Sequence, residues 1–182
     1  MSDFIIENDV LVKYVGESEN VIIPNGINTI GPLAFAGHKI SSVVIPEGVV
    51  TIGEQAFYES AYLSNIIIPK SVKHIEHQAF GYCGNLEKVI IPEGVRFIGD
   101  EAFIGCRGLV SVTMRYGVIE IAPRCFVDCT SLTSFFIPNS VKRLGYKVFE
   151  GCTRLKKVYL PECFNKATDH YIGVWSPEVY FK

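Results

Sequence analysis

The chain is 182 residues long, 48% hydrophobic and 20% charged, with a formal net charge of -2. Such a composition belongs to one folded domain with a substantial core and excludes a disordered chain. It lacks the basic excess that would hold a nucleic-acid backbone, and no apolar run approaches the roughly 20 residues that cross a bilayer.

At the N-terminus, MSDFIIENDVLVKY has no basic-then-apolar leader pattern, so read alone it points to the cytoplasm. Within it, Phe4 to Tyr14 alternates on either side of Glu7-Asn8-Asp9, the pattern of a β-hairpin. Residues 1–20 are read as a cap.

From residue 21 to residue 161 one phrase recurs. Prolines stand at Pro24, Pro46, Pro69, Pro92, Pro138 and Pro161, at intervals of 22, 23, 23, 46 and 23 residues, and Arg115 takes the proline place inside the double interval. Eleven residues after each place but the last comes Phe35, Phe57, Phe80, Phe103, Phe126 or Phe149. Three residues beyond the second to sixth of these stand Ser60, Cys83, Cys106, Cys129 and Cys152. Further columns are apolar in every unit, among them Ile27, Val49, Val72, Val95, Val118 and Val141, and Ile30, Ile52, Ile75, Ile98, Ile121 and Leu144. The first unit is one residue short, near Gly37-His38-Lys39.

The segments before the proline place, SVVIP, NIIIP, KVIIP, SVTMR, SFFIP and KVYLP, alternate and are β-branched. Each reads as a short strand that proline ends by withholding a ladder donor. One unit cannot bury its own apolar face, whereas about six stacked units make a continuous core. The expectation is a single solenoid domain over 1–182, with a parallel sheet and the phenylalanine column stacked inside. GEQAFYES and GDEAFIGC suit short helical turns opposite the sheet. A glycine follows the Ile/Leu column at Gly31, Gly53, Gly99 and Gly145, but Glu76 and Ala122 replace it elsewhere, so a positive backbone angle is not obligatory there.

The motif LxxVxIPxGVxxIGxxAFxxC, clearest from Leu86 to Cys106, resembles the BspA-type, or treponemal-type, leucine-rich repeat. The resemblance covers about Val21 to Pro161. It implies a leucine-rich-repeat solenoid, a right-handed coil with a parallel β-sheet on its concave face and few true helices. Arg115, and Cys125 and Val148 in the alanine column, depart from the motif.

Residues 162–182 are read as the C-terminal cap. KKVYLP at 156–161 is echoed by PEVYFK at 177–182, which makes Val179–Phe181 one more strand. An irregular loop from Asn165 to Ser176 would lead to it, with Trp175 over the last core layer.

Six cysteines leave three readings. The four in one repeat column form a ladder of small buried thiols, or bridge in pairs, or bind metal. Stacked side chains pointing the same way suit bridging poorly, and a line of thiols does not converge on an ion as a zinc site requires. His74 and His77 would need a third ligand to hold a metal. Glu47, Glu93 and Glu162 share a column that reads as a solvated row. No phosphate loop or nucleophile elbow is evident, so the reading is non-enzymatic and without a cofactor.

Strand alternation supplies the functional signal. With Val89 and Ile91 inward, Ile90 points out. The same outward column reads Ile22, Val44, Ile67, Ile90, Thr113, Phe136 and Tyr159. Beside it runs a polar column, Asn20, Ser42, Asn65, Lys88, Ser111, Ser134 and Lys157. Exposed β-branched residues satisfy strand propensity alone; a continuous apolar patch marks an interaction site. The candidate partner-binding residues are Val44, Ile67, Ile90, Thr113, Tyr116, Phe136, Lys157 and Tyr159. The partner on this reading is another protein. A second reading has the same face, or a terminal edge, pair two copies into a homodimer, and a third puts a metal- or carbohydrate-dependent site near His74 and His77. The resemblance adds a surface or secreted, adhesin-like role, against which stand the missing leader and the free thiols.

Overall fold

The computed structural model describes residues 2–164, 168–173 and 177–182. The chain opens with an antiparallel pair, β1 (Phe4–Glu7) and β2 (Val10–Tyr14), turned at Asn8 in the left-handed region with φ 57°. Longer and two-residue strands then alternate. They are β3 (Asn20–Ile22), β4 (Thr29–Ile30), β5 (Ser42–Val44), β6 (Thr51–Ile52), β7 (Asn65–Ile67), β8 (His74–Ile75), β9 (Lys88–Ile91) and β10 (Phe97–Ile98). They continue as β11 (Ser111–Met114), β12 (Glu120–Ile121), β13 (Ser134–Phe136), β14 (Arg143–Leu144) and β15 (Lys157–Leu160). A 3-10 turn at Glu162–Phe164, helix α1 (Thr168–Ile172) and strand β16 (Glu178–Phe181) close the chain.

This is a solenoid of parallel ladders with almost no helix. The strands before the proline place stack in register as three short sheets, β3-β5-β7, β9-β11 and β13-β15-β16. A second ladder, not foreseen from the repeat, is the unbroken one: β2, β4, β6, β8, β10, β12 and β14 run side by side, with β1 on the outside. It follows the turn after the proline place. In Pro46-Glu47-Gly48-Val49 the Val49 amide donates to the Pro46 carbonyl, and Gly48 sits at φ 105°, as the third residue of a type II turn requires. Arg115 extends its strand by one bond, its amide donating to the Ile91 carbonyl at 2.9 Å, where proline has no donor.

The turns opposite the longer strands are not helical. Gln55, Phe57 and Glu59 donate their amides forward to His77, Ala79 and Gly81 of the next coil, while Ala56, Tyr58 and Ser60 donate back three residues within their own coil. Alternate donors pointing out of the coil forbid a helix. Two left-handed residues per coil make the alternation possible: Gln55 (φ 53°) and Glu59 (φ 56°) here, Gln78 and Tyr82 next, then Glu101 and Gly105. This side is therefore hydrogen-bonded coil to coil, as the strands are. The glycines at 31 and 53 answer the same closeness. A Cβ on Gly53 would meet the Ile30 carbonyl oxygen at 2.6 Å, and one on Gly31 the Leu11 oxygen at 2.8 Å. Crowding from the preceding coil, rather than a positive angle, selects glycine.

Inside, the phenylalanines stack face to face. Ring centroids step by 4.9 Å from Phe35 to Phe57, 5.2 Å to Phe80, 5.2 Å to Phe103, 5.3 Å to Phe126 and 5.8 Å to Phe149, all within 13° of parallel. The hairpin caps this column as expected, since Tyr14 lies 5.2 Å from Phe35 and is itself covered by Phe4. At the other end the amides of Lys147, Val148 and Phe149 donate to the carbonyls of His170, Tyr171 and Ile172, so α1 forms where an irregular loop was expected, and completes the last coil. The Val179–Phe181 strand is present in β16, parallel to β15 with Lys157 opposite Glu178. Trp175 lies outside the described residues; Phe164 and Ile172 are buried at that end.

Phe80→Ala should lower the unfolding free energy by about 3–5 kcal/mol in urea titration, while Phe136→Ala, half exposed, should cost under about 1 kcal/mol. Equal losses would contradict the inward assignment of the column.

Candidate interaction face

The outward column stands where alternation placed it. Ile22, Val44, Ile67, Ile90 and Phe136 are 44–74% exposed, whereas Val21, Val43, Ile66, Val89 and Phe135 beside them are buried. Thr113 and Lys157 are exposed and Tyr159 is half-buried. Within each sheet the members lie directly opposite one another: Ile22 with Val44 and Ile67, Ile90 with Thr113, Phe136 with Tyr159. The polar margin is bonded across coils at its start, the Ser42 hydroxyl donating to the Asn20 side-chain oxygen at 2.6 Å.

An eighth rung extends the stripe. Tyr180 on β16 pairs with Tyr159 in register, and their rings stack at 5.0 Å and 19°. Phe136 lies 6.4 Å from Tyr159 on the other side, and Lys182 Nζ sits 4.6 Å above the Tyr159 ring, a cation–π contact. The sequence held the signal for Tyr180 in the 21-residue echo that aligns it with Tyr159. Tyr116 does not join this cluster. It is 73% exposed on the turn after β11, with Arg96, Gly117, Ser140 and Lys142 around a shallow depression of about 560 Å³, and among the described residues no ring contact links it to Phe136 or Tyr159.

The cysteines serve the core. Cys83, Cys106, Cys125, Cys129 and Cys152 are buried and free. The Cys83 thiol donates to the Phe57 carbonyl of the preceding coil at 3.1 Å, Cys106 to Phe80, Cys129 to Phe103 and Cys152 to Phe126. Ser60 does the same to Phe35 at 2.9 Å, which explains how a hydroxyl replaces a thiol in this column. Stacked side chains were expected to suit bridging poorly; the finding is that each of the four column sulfurs is committed to a carbonyl. Burial raises the thiols of Cys83, Cys125 and Cys129 well above their ordinary range and pushes Cys106 up to about 12. They are poor nucleophiles and poor ligands in the folded protein.

On the turn side a polar ladder runs along the left-handed column. Gln55 Nε2 donates to Gln78 Oε1 at 2.6 Å and Gln78 Nε2 to Glu101 Oε2 at 2.7 Å. Arg124 Nε then lies 2.8 Å from Glu101 Oε1, an ion pair without hydrogen-bond alignment. His77 Nδ1 faces the Asp100 carbonyl at 3.0 Å and His74 is exposed. Among the described residues no three His, Cys, Asp or Glu side chains gather as a metal site.

A family model described as BspA type leucine rich repeat region matches the chain in six copies, over residues 6–115 and 73–172. Solved structures share the fold. A leucine rich cell surface protein from Faecalibacterium prausnitzii is 28% identical, with a TM-score of 0.60 over 85% of this chain and 52% of its own length. The chain thus spans about half of that protein. A leucine-rich repeat protein from Bacteroides capillosus is 25% identical, TM-score 0.54, over 63% of this chain and 99% of its own length. The Treponema pallidum leucine rich repeat protein, 23% identical, has a TM-score of 0.61 over 94% and 77% of the two chains. No curated protein shows a significant match.

The thiol ladder makes stability fall in alkali. A folded pKa of about 12 for Cys106 against an ordinary 9.0 means the folded state keeps a proton that the unfolded chain releases. Its contribution is complete below pH 9.0 and is lost as pH rises toward about 12, at about 1.4 kcal/mol per pH unit. Cys106→Ser keeps the donor and removes the titration. Its unfolding free energy should fall less steeply between about pH 9.5 and 11, by about 1.4 kcal/mol per unit. Parallel curves would contradict this.

Proposed function

The chain belongs to the BspA-type leucine-rich repeat family, and we propose that it is a non-enzymatic protein-binding module that docks its partner on the exposed strand face. One observation carries this reading: a row of outward side chains from Ile22 to Tyr159 and Tyr180, carried on three short sheets in turn, that ends in an aromatic cluster. Isolated exposed apolar side chains are ordinary, but a contiguous row of them is the mark of an interaction surface. Aromatic residues on such a surface concentrate binding energy. Phe136 and Tyr159 are the anchors, Val44, Ile67, Ile90 and Thr113 supply complementary area, and Lys157 and Tyr116 flank it.

An adhesin-like role at a cell surface is the reading that the family and the cell surface protein of F. prausnitzii sharing the fold support. The thiols are consistent with it. Five of the six are buried in the core, out of reach of oxidants, and Cys163 alone is exposed. No helix among the described residues is long and apolar enough to cross a membrane.

The test immobilises the chain and its Phe136→Ser/Tyr159→Ser variant against a panel of extracellular-matrix proteins. Binding by the parent should weaken at least about tenfold in the variant, with the thermal midpoint little changed. Equal binding by a folded variant would remove the proposal.

A further inference from the structure

Charge is distributed along the coil axis. Residues 1–62 hold eight carboxylates and two basic side chains, a net -6. Residues 63–138 hold seven of each and are neutral, and residues 139–182 hold eight basic and four acidic side chains, a net +4. The gradient reaches the polar margin of the strand face. Exposed Glu19 directly precedes the first rung's Asn20, Glu87 and Lys88 neutralise each other's row at the middle, exposed Lys156 and Lys157 stand at the β15 rung, and Glu178 lies opposite Lys157 on β16. None of Glu19, Lys156 and Lys157 is in an ion pair among the described residues.

We infer that the strand face is occupied by a second copy of this chain, lying antiparallel about a two-fold axis along the strand direction at the Ile90 rung. This deepens the docking reading and rests on it. A two-fold about that axis reverses the coil direction while keeping the polar margins opposite each other. Glu19 of one protomer then faces the Lys156 and Lys157 row of its partner, twice per dimer, the columns from Ile22 to Tyr159 meet, and the β16 rung with Glu178 and Tyr180 lies beyond the partner's first rung. A closed isologous pair results.

Shape and size agree. The turn side is bonded coil to coil at 2.7–2.9 Å through the Phe35, Phe57, Phe80, Phe103 and Phe126 amides, so the turns do not splay apart behind the strand face. Seven rungs at about 4.8 Å make a stripe roughly 30 Å long. A stable pair buries about 800 Å² per partner, which needs the stripe and a flanking column on each side. An acidic partner of another kind would use only the C-terminal end and leave the apolar residues from Ile22 to Ile90 beside repelling carboxylates.

The test is sedimentation velocity across a concentration series at low and high salt. The parent should sediment as a dimer that weakens with salt. Glu19→Lys and Lys156→Glu/Lys157→Glu should each be monomeric alone, because like charges then meet at both ends. An equimolar mixture of the two variants should restore a species of dimer mass. A monomeric parent at every concentration, a salt-independent dimer, single variants that pair as the parent does, or species that grow beyond a dimer would each overturn the inference. The salt series needs no substitution, so a variant that fails to fold leaves the test intact. A monomeric parent whose matrix-protein binding still falls in Phe136→Ser/Tyr159→Ser would sink the dimer alone. Loss of neither property in that variant would sink the docking reading with it.

Discussion

The fold depends on how the buried backbone of each phenylalanine is satisfied. A buried amide and carbonyl must find partners; the Ser60 amide serves the Phe57 carbonyl within the turn, but the turn offers the Phe57 amide no partner within its own coil. That amide therefore donates forward to Ala79, and the Phe57 carbonyl also accepts the Cys83 thiol from that same next coil. Each coil boundary repeats this pair of bonds around a stacked ring. The 23-residue period, the alanine that lets coils approach and the small donor three residues after phenylalanine are consequences of that one requirement.

The same requirement shapes the outer surface. Forward-pointing amides need left-handed residues twice per coil, and the side chains at the first of these positions form the ladder from Gln55 to Arg124. A non-glycine residue there costs about 1–2 kcal/mol, offset by bonds that join neighbouring coils. With the turn side bonded coil to coil as the strand side is, the strands present a row of side chains in register. Function on this account is a by-product of regular stacking: a repeat that seals its own interior leaves one column free to vary, and that column changes from aliphatic to aromatic along the axis.

Much of this was legible in the chain. The spacing of proline, phenylalanine and cysteine set out the coil, and period-two alternation set out the hairpin around Asn8 and the outward direction of Ile90. The second ladder was hidden because its strands, such as Thr51–Ile52, are two residues long and carry no alternation to detect. The turns looked helical because Gln55-Ala56-Phe57-Tyr58 has ordinary helix formers; left-handed Gln55 and Glu59 are not written in residue type. Tyr180 was readable from its alignment with Tyr159, whereas the distance of Tyr116 from that cluster depends on the path of the turn after β11. The axial charge gradient was countable in the sequence, but its meaning required knowing that Glu19 and Lys156 line the same margin.

Amide hydrogen exchange followed by NMR tests the central claim most directly. The amides of Phe57, Phe80 and Phe103 should be protected as strongly as those of Val89 and Ile90, since both sides of the coil open only when neighbouring coils separate. Turn-side amides that exchange freely while the strands stay protected would contradict it, and with it the regular face from which the functional reading starts.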